Sequence, residues 1–313
     1  MADLCKEAKM TNLFRKKKSI NRPTGFDLVI GAIMIIIIIA TLYPFLNVLA
    51  ISLNDSVDTA KGGLRILPRE FTFANYIEIF SNNDQLLLAF TNSVLRTIIG
   101  TIAGVLCTCV MAYVISRKDF IFRKHLTTLL IVTMYVSGGL IPGYILIRNL
   151  GLINSFAVYI IPALLSAFNV IVIRSFIDSL PDALEESAKI DGANDFVIFY
   201  KIIMPLCIPA IATIALFIAV GQWNSWFDTY LYARGNVNLT TLQYELMKIL
   251  DNASAQSTGN VSNSAMEQLN AGKTTPESIK MAITIIATVP ILLVYPFLQK
   301  YFVSGLTLGA VKN

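Results

Sequence analysis

Five consecutive isoleucines, Ile35–Ile39, sit inside a stretch from 27 to 52 whose only charged residue is Asp27. A bilayer's hydrocarbon core, about 30 Å thick, takes about 20 apolar residues as a helix. This run meets that length with residues to spare, so it cannot be an ordinary core helix of a soluble domain. The whole chain agrees with it. Of 313 residues, 55% are hydrophobic and 14% are charged, where a soluble domain carries roughly 25% charged residues. That balance excludes most soluble-enzyme classes and predicts an integral membrane protein.

Six stretches qualify as spans: 27–52, 87–116, 126–147, 157–177, 206–227 and 280–302. No Gly/Ser- or Pro-rich linker divides them, so one all-α bundle of six transmembrane helices is expected. It would be flanked by a basic segment at 1–26 and a short tail at 304–313. Prolines within or near the spans, such as Pro44, Pro142 and Pro290, are tolerable where neighbouring helices re-satisfy the backbone. The first run is too long for a cleaved signal and follows a basic lead, so it reads as a retained helix. Placing the N-terminus inside puts sixteen Lys/Arg on inner segments and eight on outer ones, with Arg96 inside the second span. By the positive-inside rule both termini are expected in the cytoplasm. The Lys16–Lys18 run then touches anionic lipid headgroups rather than nucleic acid.

Metal and enzyme readings find little support. Cys107 and Cys109 stand two apart inside an apolar run, where helical side chains do not face each other. The only histidine, His125, lies in a basic loop, whereas a membrane enzyme wants clustered ionisable groups. Gly100-x-x-x-Gly104 is a small-residue packing pattern and not a phosphate loop.

The stretch between the fourth and fifth spans is unlike a short basic loop. From Asp178 to Pro205 it reads as two short helices: Pro181 near the start of the first, acids Asp182, Glu185 and Glu186 in its opening turns, and Gly192 at the break. Asn194 or Asp191 can cap the second helix. Apolar residues on more than one side suggest a docking element, although an amphipathic helix lying in the membrane interface is the plainer reading.

These residues also carry a resemblance. Glu186-Ser-Ala188, three residues, Gly192, nine residues and Ile202-x-Met-Pro205 resemble the EAA loop of binding-protein-dependent ABC importer permeases, departing from its pattern at Ser187 and Met204. Tyr43–Leu49, Leu67–Thr72, Asn92-Ser93 and Ala112-Tyr-x-x-Ser-Arg117 are similar to carbohydrate permeases of the MalG type. Gly138–Pro142, Gly151–Asn154, Trp223-Asn-x-Trp226 and Gly309–Lys312 resemble the LplC/YtcP-like oligosaccharide permeases. The resemblance implies a non-catalytic translocation subunit in a bacterial cell membrane, with the ABC type I importer permease fold. Its implied partners are a second homologous permease, a cytoplasmic ABC ATPase dimer, an extracellular substrate-binding lipoprotein and a carbohydrate cargo. No cofactor is expected on this chain, since ATP and Mg would be bound by the partner ATPase. Glu185, Glu186, Ser187, Ala188, Asp191, Gly192, Ala193, Ile202 and Pro205 are the implied ATPase-coupling residues. Ala188 and Gly192 would allow the ATPase close approach. The tail residues Gly309, Ala310, Val311 and Lys312 would reach between the ATPase subunits.

Intramembrane polar groups are functional candidates by default. Asn47, Phe168, Asn169, Gln222, Trp223, Asn224 and Trp226 are the candidate substrate path, amides bonding hydroxyls and rings stacking on sugar faces. An interfacial aromatic belt explains Trp223 and Trp226 equally well. Arg96 can pair with a backbone carbonyl or an acid, or meet an acidic sugar. The outer loops, 53–86 and 228–279, are expected to face the binding lipoprotein, with Asn252–Ser264 flexible by composition. A self-sufficient secondary transporter is the competing class, disfavoured because no Asp or Glu lies deep in a span.

Overall fold

The structure, a computed structural model, describes residues 25–63, 66–81, 84–257 and 275–310. The basic segment 1–24 lies outside them. Two compact units divide the chain, residues 1–47 and 48–313, and helix α1 (Gly25–Ser52) carries the boundary. Within α1 the Thr41 hydroxyl donates to the Ile37 carbonyl at 2.8 Å, satisfying the polar group inside an apolar run.

The described residues contain helices and no named strand. After the short α2 (Ser56–Ala60) and α3 (Ala74–Ser81) comes α4 (Asp84–Ser116), whose 33 residues span about 50 Å. Then follow α5 (Arg123–Tyr135), α6 (Leu140–Asn149), α7 (Ala167–Ile177), α8 (Ala183–Ile190), α9 (Asp195–Ile198), α10 (Ile208–Asn224), α11 (Leu242–Ser257) and α12 (Pro276–Ala310). Large apolar side chains along α4 and α12 stay open, Ile102 at 58% and Leu293 at 64% exposure. A surface of that kind marks contact with a membrane or a protein partner.

Three described helices are long and apolar enough to cross a membrane alone, within α1, α4 and α12, and up to five spans result if each bent pair counts once. The count of six spans is not confirmed by these helices, and the third stretch departs from a continuous helix. Residues 126–147 form two helices of 13 and 10 residues, each short of a bilayer. The chain leaves α5 at Val136 in extended form and turns at Gly139, whose φ of +86° suits glycine. Pro142 falls in the first turn of α6, where a missing N–H costs little. The fourth stretch starts as 3₁₀ turns at Phe156–Tyr159 and Ile161–Ala163 and bends by 46° into α7. The fifth is a 17-residue helix, α10, that unwinds at Ser225.

The helices of the second unit meet where small residues permit it. A Cβ on Gly100 would stand 2.8 Å from the Gln222 side chain, and one on Gly104 would stand 3.3 Å from Ile218. The expected Gly100/Gly104 packing pattern is thus the seam between α4 and α10. A buried cluster including Tyr113, Ile115, Ile173, Ile198, Ile203 and Ile214 joins α4, α7 and α10 to the 178–205 elbow.

The described residues of the stretch 53–86 are no bare spacer. Asn54 is fully buried: its amide oxygen accepts from the Arg69 and Glu70 backbone N–H groups, and its amide nitrogen donates to Asp58 at 3.0 Å. Asn75 donates to the Ser52 and Asn54 carbonyls, and Arg69 Nε meets Asp58 at 2.9 Å. In the stretch 228–279, Asn252–Ser257 continue α11, and 258–264 lie outside the described residues.

Candidate functional site

The elbow is built by its capping chemistry. Helix α8 ends with Gly192 at φ +81°. The Gly192 N–H donates to the Lys189 carbonyl and the Ala193 N–H to the Ala188 carbonyl, at 3.0 and 2.9 Å. This is the Schellman arrangement, which closes a helix with a left-handed residue. Two residues later Asn194 starts α9, its side-chain oxygen accepting from the Val197 N–H at 2.9 Å. A π-type turn at Phe199–Ile203 and one α turn at Met204–Leu206 follow, and the chain bends by 81° at Cys207 into α10.

The elbow has two faces. Ala188, Ile198 and Ile203 point inward and are buried, with Ala193 and Ile202 half-buried beside them. Glu186, Ser187, Asp191, Gly192 and Pro205 are exposed. So are three large apolar side chains: Ile190 at 86%, Phe196 at 73% and Tyr200 at 66%. Ala188 therefore packs the elbow against its own bundle.

Arg117, the first residue after α4, ties the two arms of the elbow together. Its guanidinium bonds Glu185 on α8, and Nη2 lies 3.4 Å from the Asp195 carboxylate on α9. The same group sits over the Tyr113 ring, 5.2 Å from its centroid, and the Tyr113 hydroxyl donates to the Asp195 carbonyl at 3.2 Å. Burial works against the charge on Arg117, but attraction to the phenolate that Tyr113 becomes at high pH and to the Glu185 and Asp195 carboxylates outweighs it and leaves the pKa raised. Lys118 meets Asp182 at 2.6 Å, which raises its pKa too, and Lys189 meets Asp119 at 3.6 Å. Between the 117–123 turn and the elbow lies a cavity of about 410 Å³ lined by Arg117, Lys118, Glu185 and Glu186 among others. Sequence reasoning counted Arg117, Lys118 and Arg123 among the inner basic residues that set topology, and placed Arg117 also in the carbohydrate-permease resemblance. Facing runs of opposite charge, acidic at 178–195 and basic at 117–124, were the signal for their second role.

A second constellation lies farther along α4. Asn92 stands about 30 Å from Tyr113 at 1.5 Å per residue, close to the thickness of a hydrocarbon core. Near it Arg96 is buried, 2% exposed. Its Nε and Nη2 donate to Gln222 Oε1 at 3.1 and 3.0 Å. Nη1 reaches the Ser225 carbonyl, and Nη2 meets Asp228 at 2.5 Å. The Tyr159 ring lies beneath, its centroid 4.4 Å from the guanidinium carbon. Arg96 thus takes both a backbone carbonyl and an acid of its own chain as partners. Asp228 was the residue that sequence reasoning did not name.

This network separates the candidate path residues. Gln222 also donates to the Tyr159 carbonyl at 3.0 Å, and the buried Trp223 indole donates to the Ala287 carbonyl at 2.7 Å. Both are committed to packing within the bundle. Asn169 is buried on α7, while Phe168 is half exposed and 6.5 Å from Phe217. Asn224 is exposed and accepts from Gln243, and Trp226 is half-buried within a ring cluster with Phe227 and Tyr230. Asn47 belongs to the first unit, on α1. Of the tail residues, Gly309 and Ala310 end α12, and Val311 and Lys312 lie outside the described residues.

Residues 87–308 match the family described as "Binding-protein-dependent transport system inner membrane component". The chain is 38% identical over 289 residues to the polygalacturonan/rhamnogalacturonan transport system permease protein YtcP of Bacillus subtilis, covering 92% of this chain and 98% of that one. It is 37% identical to the protein LplC of the same organism, over 87% of this chain and 90% of that one. In structure it is similar to a chain of a bacterial ABC transporter involved in the import of the acidic polysaccharide alginate. That match has a TM-score of 0.80 and 27% identity, and covers 88% of this chain and 96% of that chain. The match spans α4, the elbow, α10 and nearly all of α12, so the chain belongs to the family of inner membrane components of binding-protein-dependent transport systems, as a multi-pass membrane protein of the importer-permease fold.

Proposed function

We propose that this permease is one membrane half of an ATP-driven importer of oligosaccharides in a bacterial plasma membrane, with both termini in the cytoplasm. Its partners in that reading are a second, homologous permease, a cytoplasmic ABC ATPase dimer that binds ATP and Mg, and an extracellular sugar-binding lipoprotein. The observation that carries it is the outward face of the elbow. Ile190, Phe196 and Tyr200 stand exposed beside Glu186 and Asp191 on a unit locked to α4 through Arg117. An interfacial amphipathic helix would be rich in Lys and Arg, whereas the elbow presents mainly acids. A cleft in a partner protein suits this mixture of apolar and acidic groups better than anionic headgroups do.

Closure of the ATPase dimer would move the elbow, and Arg117 would pass that displacement to the end of α4. Because the Gln222 and Ile218 side chains of α10 pack directly onto α4 at Gly100 and Gly104, the two helices would move as one body toward the Trp226 end. The tail, Gly309 to Lys312, would add a second contact with the ATPase. The sugar cargo is favoured by what the relatives are named for: YtcP for polygalacturonan and rhamnogalacturonan, and AraQ of the same organism, 28% identical, for arabinooligosaccharides. Purification from native membranes in mild detergent, followed by mass spectrometry, tests the reading. An ATPase, a second permease and a lipoprotein carrying a glycan are expected; a protein that purifies alone and carries solute without ATP would overturn it.

A further inference from the structure

A cavity of about 510 Å³ opens between the turn Thr229–Ala233 and helix α11, lined by Trp226, Tyr230, Arg234, Tyr244, Lys248 and Asp251 among others. That volume lies in the range of small-molecule sites, roughly 300–1,000 Å³. We propose that it is a glycan subsite that seats a uronic-acid pyranose ring. The inference rests on the sugar-importer reading above and gives the cargo's chemistry and its point of contact.

Three aromatic rings converge there without closing into a core. Trp226 and Tyr230 lie 6.3 Å apart, and Tyr230 and Tyr244 lie 6.4 Å apart, in tilted arrangements that leave Tyr230 at 43% exposure. The apolar C–H face of a pyranose packs on such rings, which lose little side-chain freedom on binding. The polar rim supplies the rest of the recognition. Arg234 sits over the Tyr230 ring at 5.5 Å and Lys248 over the Tyr244 ring at 5.1 Å. Lys248 has its counter-charge behind it: Glu245 is 2.7 Å away but drawn into the interior, where Thr240 and Gln85 bond it. Arg234 makes no ion pair among the described residues, so its guanidinium is free for a sugar carboxylate. Asp251 can accept from a hydroxyl.

The walls are fixed before any ligand arrives. Asn92 donates to the Asn238 and Thr240 carbonyls, Ser93 Oγ accepts from the Leu242 N–H, and the Thr229 and Thr241 hydroxyls bond at 2.9 Å. Arg96 holds the other wall through Ser225 and Asp228. Rings held in place by such supporting bonds give a site without ordering cost, the arrangement a built ligand site requires. A belt of interfacial aromatics would face lipid on a single helix and would have no need of a cavity rimmed by two cations and an acid.

The test uses the native importer complex in proteoliposomes, with labelled trigalacturonate and neutral galactotriose as probes. The wild type is expected to reach half-maximal trigalacturonate uptake at a concentration about tenfold below that for galactotriose. Arg234→Gln should raise the trigalacturonate value about tenfold and the galactotriose value far less, because the charge-assisted contact is made by the carboxylate alone; Arg234→Lys should restore part of it. Tyr244→Ala should raise both. Trigalacturonate uptake at wild-type half-saturation in Arg234→Gln and Tyr244→Ala would overturn the subsite and leave the sugar-importer reading standing. Equal effects of Arg234→Gln on both probes would overturn the charge assignment. A complex that moves neither saccharide would fail at the earlier reading and take the subsite with it. As an independent check on folding, the chain has two tryptophans, and Trp223 is buried. Trigalacturonate should therefore quench mainly Trp226 emission in the purified wild type, and the quench should disappear in Tyr244→Ala; a persisting quench overturns the assignment.

Discussion

Asp228→Ala removes the counter-charge of a guanidinium that cannot reach water. Arg96 is 2% exposed and Asp228 about a fifth exposed at its side chain, so the pair is buried on the arginine's side and only partly on the acid's. Breaking a buried pair by deleting one partner costs about 3–5 kcal/mol, because the remaining charge stays desolvated. Gln222 and the Ser225 carbonyl continue to accept from Arg96, and the Tyr159 ring stays beneath it. These place the cost near the lower end, about 3 kcal/mol. For a unit of this size each kcal/mol moves the melting midpoint by about 2–4 °C, which makes the expected drop on the order of 10 °C. Replacing both charges, Arg96→Met with Asp228→Leu, removes the desolvation problem along with the pair, so the double variant should melt closer to the wild type than Asp228→Ala does. The assay is thermal unfolding in detergent, followed by intrinsic fluorescence. An Asp228→Ala midpoint within 2 °C of the wild type, by the same scaling, would refute the reasoning.

Three further outcomes follow from the geometry. Gly192→Val forces a β-branched residue to φ +81° at a position with open space around its Cβ; it should cost about 1–2 kcal/mol and abolish uptake, while Gly192→Asn, which tolerates that region, keeps more of both. Arg117→Gln releases Glu185 and Asp195 together, so ATP-driven uptake should fall severalfold, with more ATP hydrolysed per sugar moved in proteoliposomes; an unchanged ratio would contradict a transmitting role. Asn54 donating to the Asp58 carboxylate, with Arg69 beside it, lowers that pKa below the ordinary 3.8 against the opposing effect of burial. A lowered acid stabilises the folded loop above its unfolded pKa and stops doing so as pH falls through the folded value. Protease resistance of the 54–75 segment should therefore hold from pH 8 to pH 5 and decline below about pH 4; a decline already at pH 6 would contradict it.

How far the sequence foretold these parts depends on the range of the interactions involved. The elbow was legible because its determinants are local: Gly192 and Asn194 act within a few residues of themselves, and the spacing to Pro205 is carried in one segment. The Gly100/Gly104 seam was legible for the same reason. Arg117 was not, since its partners Glu185 and Asp195 lie 68 and 78 positions away. Its charge already had an explanation in topology, and its motif named no partner. Asp228 escaped because it lies just past the fifth span, 132 positions from Arg96. The break in the third stretch was not legible because hydropathy is blind to backbone conformation, and the Gly138-Gly139 pair interrupts a stretch that is apolar on both sides. The subsite residues Tyr244 and Lys248 sit on α11, an amphipathic helix that composition assigned to an outer loop.

The central claim is that the elbow couples this permease to ATP hydrolysis. It is tested most directly by sugar uptake into proteoliposomes holding the purified complex, with ATP and binding protein supplied on their respective sides. The account predicts uptake that requires ATP, ignores ion gradients, and is lost in Gly192→Asp although that variant still assembles and still receives the loaded binding protein. Uptake by Gly192→Asp at the wild-type rate, or uptake driven by a proton or sodium gradient without ATP, would contradict it.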